Sequence, residues 1–177
     1  LDNDGDGVVD NGLEYDNYWR DADGDGYGGP TGSNCSDLAE EGLGDGVYEI
    51  WPNGREEAPL TVYCDQTTDG GGWARVFHHD VAGGYFVSHE DAYDLNESEP
   101  PSQLCSILKH VERLRTPDGR LELRINWPDS GIPGRNIWRQ ESNPTTAPVV
   151  GYEAVDVNYL DQFWAGLELS TSASTYL

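Results

Sequence analysis

From Asn34 onward the chain sets short runs of apolar residues against polar ones and breaks them with Gly, Pro and Asn. Val47–Trp51 (VYEIW) and Leu60–Cys64 (LTVYC) alternate with a period of two. Pro52-Asn53-Gly54 and a charged stretch join them, so the pair predicts an antiparallel hairpin. Gly72–His78 (GWARVFH), Leu121–Trp127 (LELRINW) and Val149–Tyr159 (VVGYEAVDVNY) predict further strands, the last two separated by a loop rich in Pro, Gly and Asn. One segment has helical spacing. Leu104, Ile107, Leu108, Val111 and Leu114 share a face of a predicted helix over Ser102–Leu114, with Pro100-Pro101 before it and Pro117-Asp118-Gly119 turning away after it. Ser36–Glu41 predicts a single helical turn with Ser36 as N-cap. The fold class that follows is α+β: a mostly antiparallel, twisted sheet, one main helix and long loops.

Before Asn34 this pattern is missing. Residues 1–33 carry few aliphatic side chains, and the first thirty hold nine Asp or Glu against one Arg. The run Gly28-Gly29-Pro30-Thr31-Gly32-Ser33 reads as a linker, so the expected organisation is an acidic segment over 1–33 and a globular domain over 34–177. Asp2, Asp4, Asp6, Gly7, Val8 and Asp10 fit D-x-D-x-D-G-x-x-D, and Asp21, Asp23, Asp25 and Tyr27 repeat its first seven positions. Alternating carboxylates, a turn glycine and a backbone carbonyl at the seventh position wrap oxygens around a hard cation, and calcium accepts such a flexible shell more readily than magnesium. The carbonyl donors are expected near Val8 and Tyr27. Leu13 and Gly32 stand where a bidentate Glu would close each loop, leaving Glu14 and Asp16 to complete the shells. Without a cation, so many carboxylates would keep the segment apart by mutual repulsion.

These repeats resemble thrombospondin type 3 calcium repeats, and Tyr18–Gly28 is similar to a short metal-binding repeat of bacterial surface proteins, without its usual cysteines. A second resemblance lies in Asn34-Cys35-Ser36-Asp37-Leu38, Gly46-Val47-Tyr48-Glu49-Ile50, Val62-Tyr63-Cys64-Asp65 and Gly70-Gly71-Gly72-Trp73. In that order these resemble the start of the fibrinogen-like C-terminal domain, of the bacterial and intelectin type. Gly83–Phe86, Glu122–Pro128, Asn136–Pro144 and Phe163–Ser170 extend the likeness to bacterial fibrinogen-like proteins. The resemblance implies a disulfide between Cys35 and Cys64, and a glycine-rich corner that seats Trp73 in the core. It also makes His79-Asp80 a candidate ligand-binding pair, since a His-Glu pair in intelectins helps hold calcium there. The chain departs from the family in Gln66, where Met is usual, and it ends before the region of the animal ligand pocket. That ending, and a start at Leu1 inside an acidic pattern, lead us to expect a processed or partial product, truncated at its C-terminal end. Cys105 is left over, as a buried free thiol or as partner to a cysteine elsewhere.

Charge narrows the function. With 33 Asp and Glu against ten Lys and Arg, the net charge of −23 repels nucleic acid and anionic membrane. No run of apolar residues is long enough to insert into a bilayer. A disulfide implies an oxidising, secreted or cell-surface location. No G-x-S-x-G, H-E-x-x-H or C-x-x-C occurs, and G-G-G without a following Lys and helix has no nucleotide-binding meaning. The expectation is therefore a non-catalytic, calcium-binding module for recognition or adhesion, with a glycan or another acetylated or anionic surface group as ligand. The alternative is a structural subunit that assembles with copies of itself into a calcium-stabilised fibre or sheath.

Overall fold

The computed structural model describes residues 32–126 and 135–157, so the carboxylates expected to bind calcium lie outside the described residues. Strands β1 (Gly46–Ile50), β2 (Leu60–Asp65) and β3 (Trp73–Arg75) form an antiparallel sheet in that order. The predicted hairpin registers Ile50 with Leu60 and Gly46 with Cys64. Along β2, Leu60, Val62 and Cys64 point inward, the period-two pattern of a half-buried strand. They meet Ile50, Cys35, Leu38 and Ile107 in the main core. Each fully buried aliphatic chain there contributes roughly 1.5–3 kcal/mol.

Helix α1 (Cys35–Glu40) is capped by Asn34, two residues earlier than the expected Ser36, and the Asn34 side chain accepts a hydrogen bond from the Asp37 N–H at 3.0 Å. Its first residue, Cys35, is bonded to Cys64 on β2 across a separation of 29 residues. Gln66 completes the joint: its amide donates to the Cys35 carbonyl at 2.8 Å, and its side-chain oxygen accepts from the Gly72 N–H at 2.8 Å. A methionine there could do neither.

The glycine run makes the turn from β2 into β3. Gly70, Gly71 and Gly72 all have positive φ, at 91°, 77° and 80°. A Cβ on Gly71 would collide with the Gln66 carbonyl, and one on Gly72 with the Ser36 hydroxyl. The corner therefore needs both left-handed backbone and close approach. Trp73 does not enter the core, however. It stays half-buried on β3, with the Arg124 guanidinium over its ring at 4.9 Å.

Where one strand was predicted over Gly72–His78, the chain breaks at Val76 into β3 and β4 (Phe77–His79). The break shifts pairing to a new partner, β5 (Leu104–Ser106). This overturns the main helix expected over Ser102–Leu114. Leu104–Ser106 is extended, and only Leu108–Leu114 coils, as a 3₁₀ helix burying Leu108 and Val111. Leu108, Val111 and Leu114 are three apart, a spacing that a three-residue turn satisfies as well as an α-helical one.

The third sheet holds β6 (Leu121–Asn126), β7 (Arg135–Gln140) and β8 (Glu153–Val157), again antiparallel and in that order. Strand β7 forms within the stretch expected as a loop, and the strand predicted over Val149–Tyr159 begins only at Glu153. Trp138 and Val149 centre a small second core, where the Trp138 indole donates to the Gln140 side chain at 2.8 Å. The mostly antiparallel character thus holds across three small sheets, not one.

Arginines tie these parts together. Arg124 on β6 reaches the corner of the first sheet, pairing with Asp65 and Asp69 and donating to the Thr68 carbonyl. Burial raises the Asp65 carboxyl, but hydrogen bonds from Arg124 and Thr68 outweigh it and hold the group below its ordinary value. Arg113 donates to the Ala58 carbonyl, Arg115 to the carbonyls of Gly119 and Glu141, and Arg120 to Glu153 and the Gly151 carbonyl. Arg139 pairs with Glu122 across β6 and β7, while Arg55 and Arg75 lie over Trp51 and Tyr63.

Candidate functional site

Strand β4 presents Phe77 and His79 on one side and His78 on the other, as alternation requires. His78 is tied down: its Nδ1 lies 2.8 Å from the Ser102 carbonyl. The residues after β4 form a tight loop. Asp80 caps a 3₁₀ turn over Val81–Gly83, accepting from the Ala82 N–H at 2.9 Å and from the Gln103 amide at 3.2 Å. Gly83 lies close against Gln103, where a Cβ would come within 2.6 Å of that side chain's own Cβ. Gly84, with φ of 101°, then reverses the chain and returns Tyr85 and Phe86 to β4.

The result is a platform of four rings. Phe86 stacks on Phe77 with centroids 5.0 Å apart, and His79 meets Tyr85 and Phe86 edge-on at 5.5 Å each. The His79 Nε2 lies 3.2 Å from the Gly84 carbonyl, which fixes the ring beneath the loop. The platform faces solvent: Phe77 is 43% exposed, Val81 65%, Tyr85 70% and Val87 90%. Contiguous apolar side chains at such exposure mark an interaction surface.

Helix α2 (His89–Tyr93) follows at once, capped by the Ser88 hydroxyl, which accepts from the Asp91 N–H at 3.0 Å. Hydrogen bonds from its own backbone and from Ser88 hold the Glu90 carboxyl below its ordinary value, so the group stays ionised three residues after Val87. Between Arg75 and Lys109 the chain has six Asp or Glu and no Lys or Arg. Lys109 itself is engaged by Asp94 and Glu97. Their hydrogen bonds raise the lysine, and its bond to Glu97 is the main cause that lowers that carboxyl.

Of the site residues expected from sequence, Asp2, Asp4, Asp6, Val8, Asp10, Glu14, Asp21, Asp23, Asp25 and Tyr27 fall outside the described residues. His79 and Asp80 belong to the platform loop, with Asp80 shaping the turn and His79 flooring it. Among the described residues no group of three or more His, Cys, Asp or Glu is arranged to hold a metal ion, the His79-Asp80 pair included. Cys105 lies opposite His78 in the β4–β5 register, buried and unbonded, and burial raises its thiol and keeps it a poor nucleophile. Sequence alone marks Gly83–Phe86 by its resemblance but does not make Phe77, Tyr85 or Phe86 candidate site residues. Their signal was an aromatic pair just after Gly83-Gly84, in a turn where apolar rings have no core to enter.

The platform follows the disulfide, the glutamine joint and the glycine corner, and known proteins share a stretch that holds all four. Residues 31–94 match the model of the C-terminal globular domain of fibrinogen beta and gamma chains. Over this segment the chain is similar to that domain. The fibrinogen-like globe domain of human ANGPTL6 superposes with a TM-score of 0.51 at 20% identity, covering 73% of this chain and 60% of that one. The likeness extends the shared fold beyond the matched segment. Human tenascin-R is 38% identical over 86 residues, or 48% of this chain and 6% of that protein. Ryncolin-4 of Cerberus rynchops is 51% identical over 41 residues, or 23% of this chain and 11% of that protein. The chain thus spans only a small fraction of these two relatives. Among the described residues no helix is long and apolar enough to cross a membrane.

Proposed function

We propose that the chain is a non-catalytic, extracellular fibrinogen-like module that recognises a surface glycan through the aromatic platform, next to an N-terminal segment ordered by calcium. The exposed four-ring platform carries this reading. Tyr85 is 70% exposed although large aromatic chains usually bury or find a partner, and the loop that holds it is locked by Asp80, Gly84 and Gln103. A preformed apolar surface on a rigid loop loses little entropy on binding. Aromatic faces carry partial negative charge, so they suit the C–H face of a sugar ring. The lysine- and arginine-free stretch around the platform disfavours the anionic surface groups considered from sequence. In the acidic repeats, Asp2, Asp4, Asp6, Asp10, Glu14, Asp21, Asp23 and Asp25, with the carbonyls near Val8 and Tyr27, would hold calcium and neutralise their own repulsion. Relatives named tenascin and the disulfide support an oxidising, extracellular setting.

The test is a glycan array probed with the 177-residue chain in calcium, beside its Tyr85→Ala variant. Retention that depends on Tyr85 supports the reading, and absence of any retained glycan overturns it. The structural-subunit reading draws on a different observation. Among the described residues β1 and β8 each pair on one side only, and Val47 and Val155 on them are 44% and 48% exposed. Calcium-dependent growth of extended polymers in light scattering would favour it over recognition.

A further inference from the structure

Three aromatic faces elsewhere in the fold are covered by the chain's own arginines: Trp51 by Arg55 at 4.8 Å, Tyr63 by Arg75 at 4.1 Å and Trp73 by Arg124 at 4.9 Å. The platform is different. Among the described residues no arginine lies over Phe77, Tyr85 or Phe86. Nor can a sequence neighbour supply one, since the segment between Arg75 and Lys109 lacks Lys and Arg altogether. Lys109, at its end, already bridges Asp94 and Glu97.

The same segment supplies negative charge. Asp80 follows His79 directly, and Glu90 and Asp91 open the helix that begins two residues after Val87. A partly desolvated cation over an aromatic face gains from the ring quadrupole, and nearby carboxylates add attraction that water screens only in part. We infer that the platform takes the protonated amine of an amino sugar, with the ammonium over the exposed Tyr85 ring and the sugar's C–H face against the remaining rings. The inference rests on the recognition reading above and names its ligand class: saccharides bearing free amines, in preference to N-acetylated, neutral or anionic ones. The chain's own arginines set the expected approach, at about 4–5 Å from nitrogen or guanidinium carbon to ring centroid.

Calorimetric titration tests this, using the 177-residue chain in calcium and four six-sugar probes: a glucosamine oligomer, its N-acetylated counterpart, a neutral glucose oligomer and an oligogalacturonate. A chain of net charge −23 attracts any polycation. The decisive variant is therefore Tyr85→Ala, which leaves charge unchanged at a site exposed enough to keep the fold. Expected are a glucosamine-oligomer affinity at least fivefold above that of the N-acetylated form and no oligogalacturonate binding. Tyr85→Ala should weaken glucosamine binding at least fivefold, and Tyr85→Phe should restore it. If the neutral or N-acetylated oligomer binds equally well in a Tyr85-dependent way, the amine preference is overturned and the recognition reading stands. If glucosamine binding is insensitive to Tyr85→Ala, the platform is not its site and the inference fails. An oligolysine peptide that binds through Tyr85 while the glucosamine oligomer does not would overturn the saccharide assignment. No binding by any saccharide overturns both readings.

Discussion

Alanine substitution along Gly70-Gly71-Gly72 should produce a graded, not uniform, loss of stability. At Gly70 the backbone is left-handed, with φ of 91°, but an added Cβ meets nothing within 4 Å. Only the backbone penalty applies there, about 1–2 kcal/mol. Gly71 has φ of 77° and ψ of −172°, a region that glycine alone enters freely. Strain of about 1–3 kcal/mol applies there. Its Cβ would also lie within 2.8 Å of the Gln66 carbonyl carbon, which is backbone and cannot swing aside. Overpacking adds about 1–3 kcal/mol, for a total near 4 kcal/mol. Gly72 falls between, because its Cβ meets the Ser36 hydroxyl, a group that can rotate, although the Ser36 Cα at 3.2 Å cannot. For a chain of this size each kcal/mol lowers Tm by about 2–4 °C, so Gly71→Ala should lose about 8–16 °C and Gly70→Ala about 2–8 °C. Thermal and urea unfolding of the three variants, in saturating calcium, measures the order. Ser36→Ala should recover part of the Gly72→Ala loss and none of the Gly71→Ala loss. Equal losses at all three positions, or recovery of Gly71→Ala by Ser36→Ala, would refute the close-approach argument.

Three further outcomes are expected. Arg124→Met removes the cation paired with the Asp65 and Asp69 carboxylates and should cost about 3 kcal/mol at neutral pH in chemical denaturation. Because the folded Asp65 carboxyl lies below 3.8, its contribution is present above that pH and fades as pH falls through the folded value, so the variant should show a shallower stability loss below about pH 4 than the parent. Reducing Cys35–Cys64, which closes a 29-residue separation, should cost roughly 3–4 kcal/mol, read as a Tm shift under reductant; mapping should leave Cys105 unlinked to either. Chelating calcium should expose residues 1–27 to protease and remove about 2.7 kcal/mol per site at free calcium a hundredfold above Kd, with Asp4→Ala and Asp23→Ala each abolishing one site.

The β1–β2 hairpin was legible because its two runs alternate cleanly and a Pro-Asn-Gly turn separates them. The glycine corner was legible too, since three ordered glycines demand a backbone reason. The segment Leu104–Leu114 was not. Its apolar positions fit an α-helix, but Leu104, Cys105 and Ser106 are claimed by pairing with Phe77–His79, a contact between residues far apart in sequence that no local period reports. The resemblance of its flanking motif puts Trp73 in the core, whereas it stays half-buried on β3 with Arg124, fifty residues on, over its ring. The platform escaped for a related reason. Phe77 and Phe86 become neighbours only because Asp80 and Gly84 turn the loop back, a reversal that the local pattern of apolar positions does not report.

The seven arginines whose side chains the structure describes are all engaged, as bolts between segments or as lids on aromatic rings. Acidic side chains such as Glu40, Glu41 and Glu56 stand exposed on the surface. Mutational tolerance should therefore be lopsided by charge sign. Exchanging an exposed glutamate that pairs with no arginine, such as Glu40, for glutamine or serine leaves every joint intact, so acidity at such positions can drift across homologues with little consequence for folding. Losing an arginine opens a seam. A variant resurfaced toward neutrality for handling or crystallisation should be made by thinning the carboxylates, while the scarce cations are left where they are.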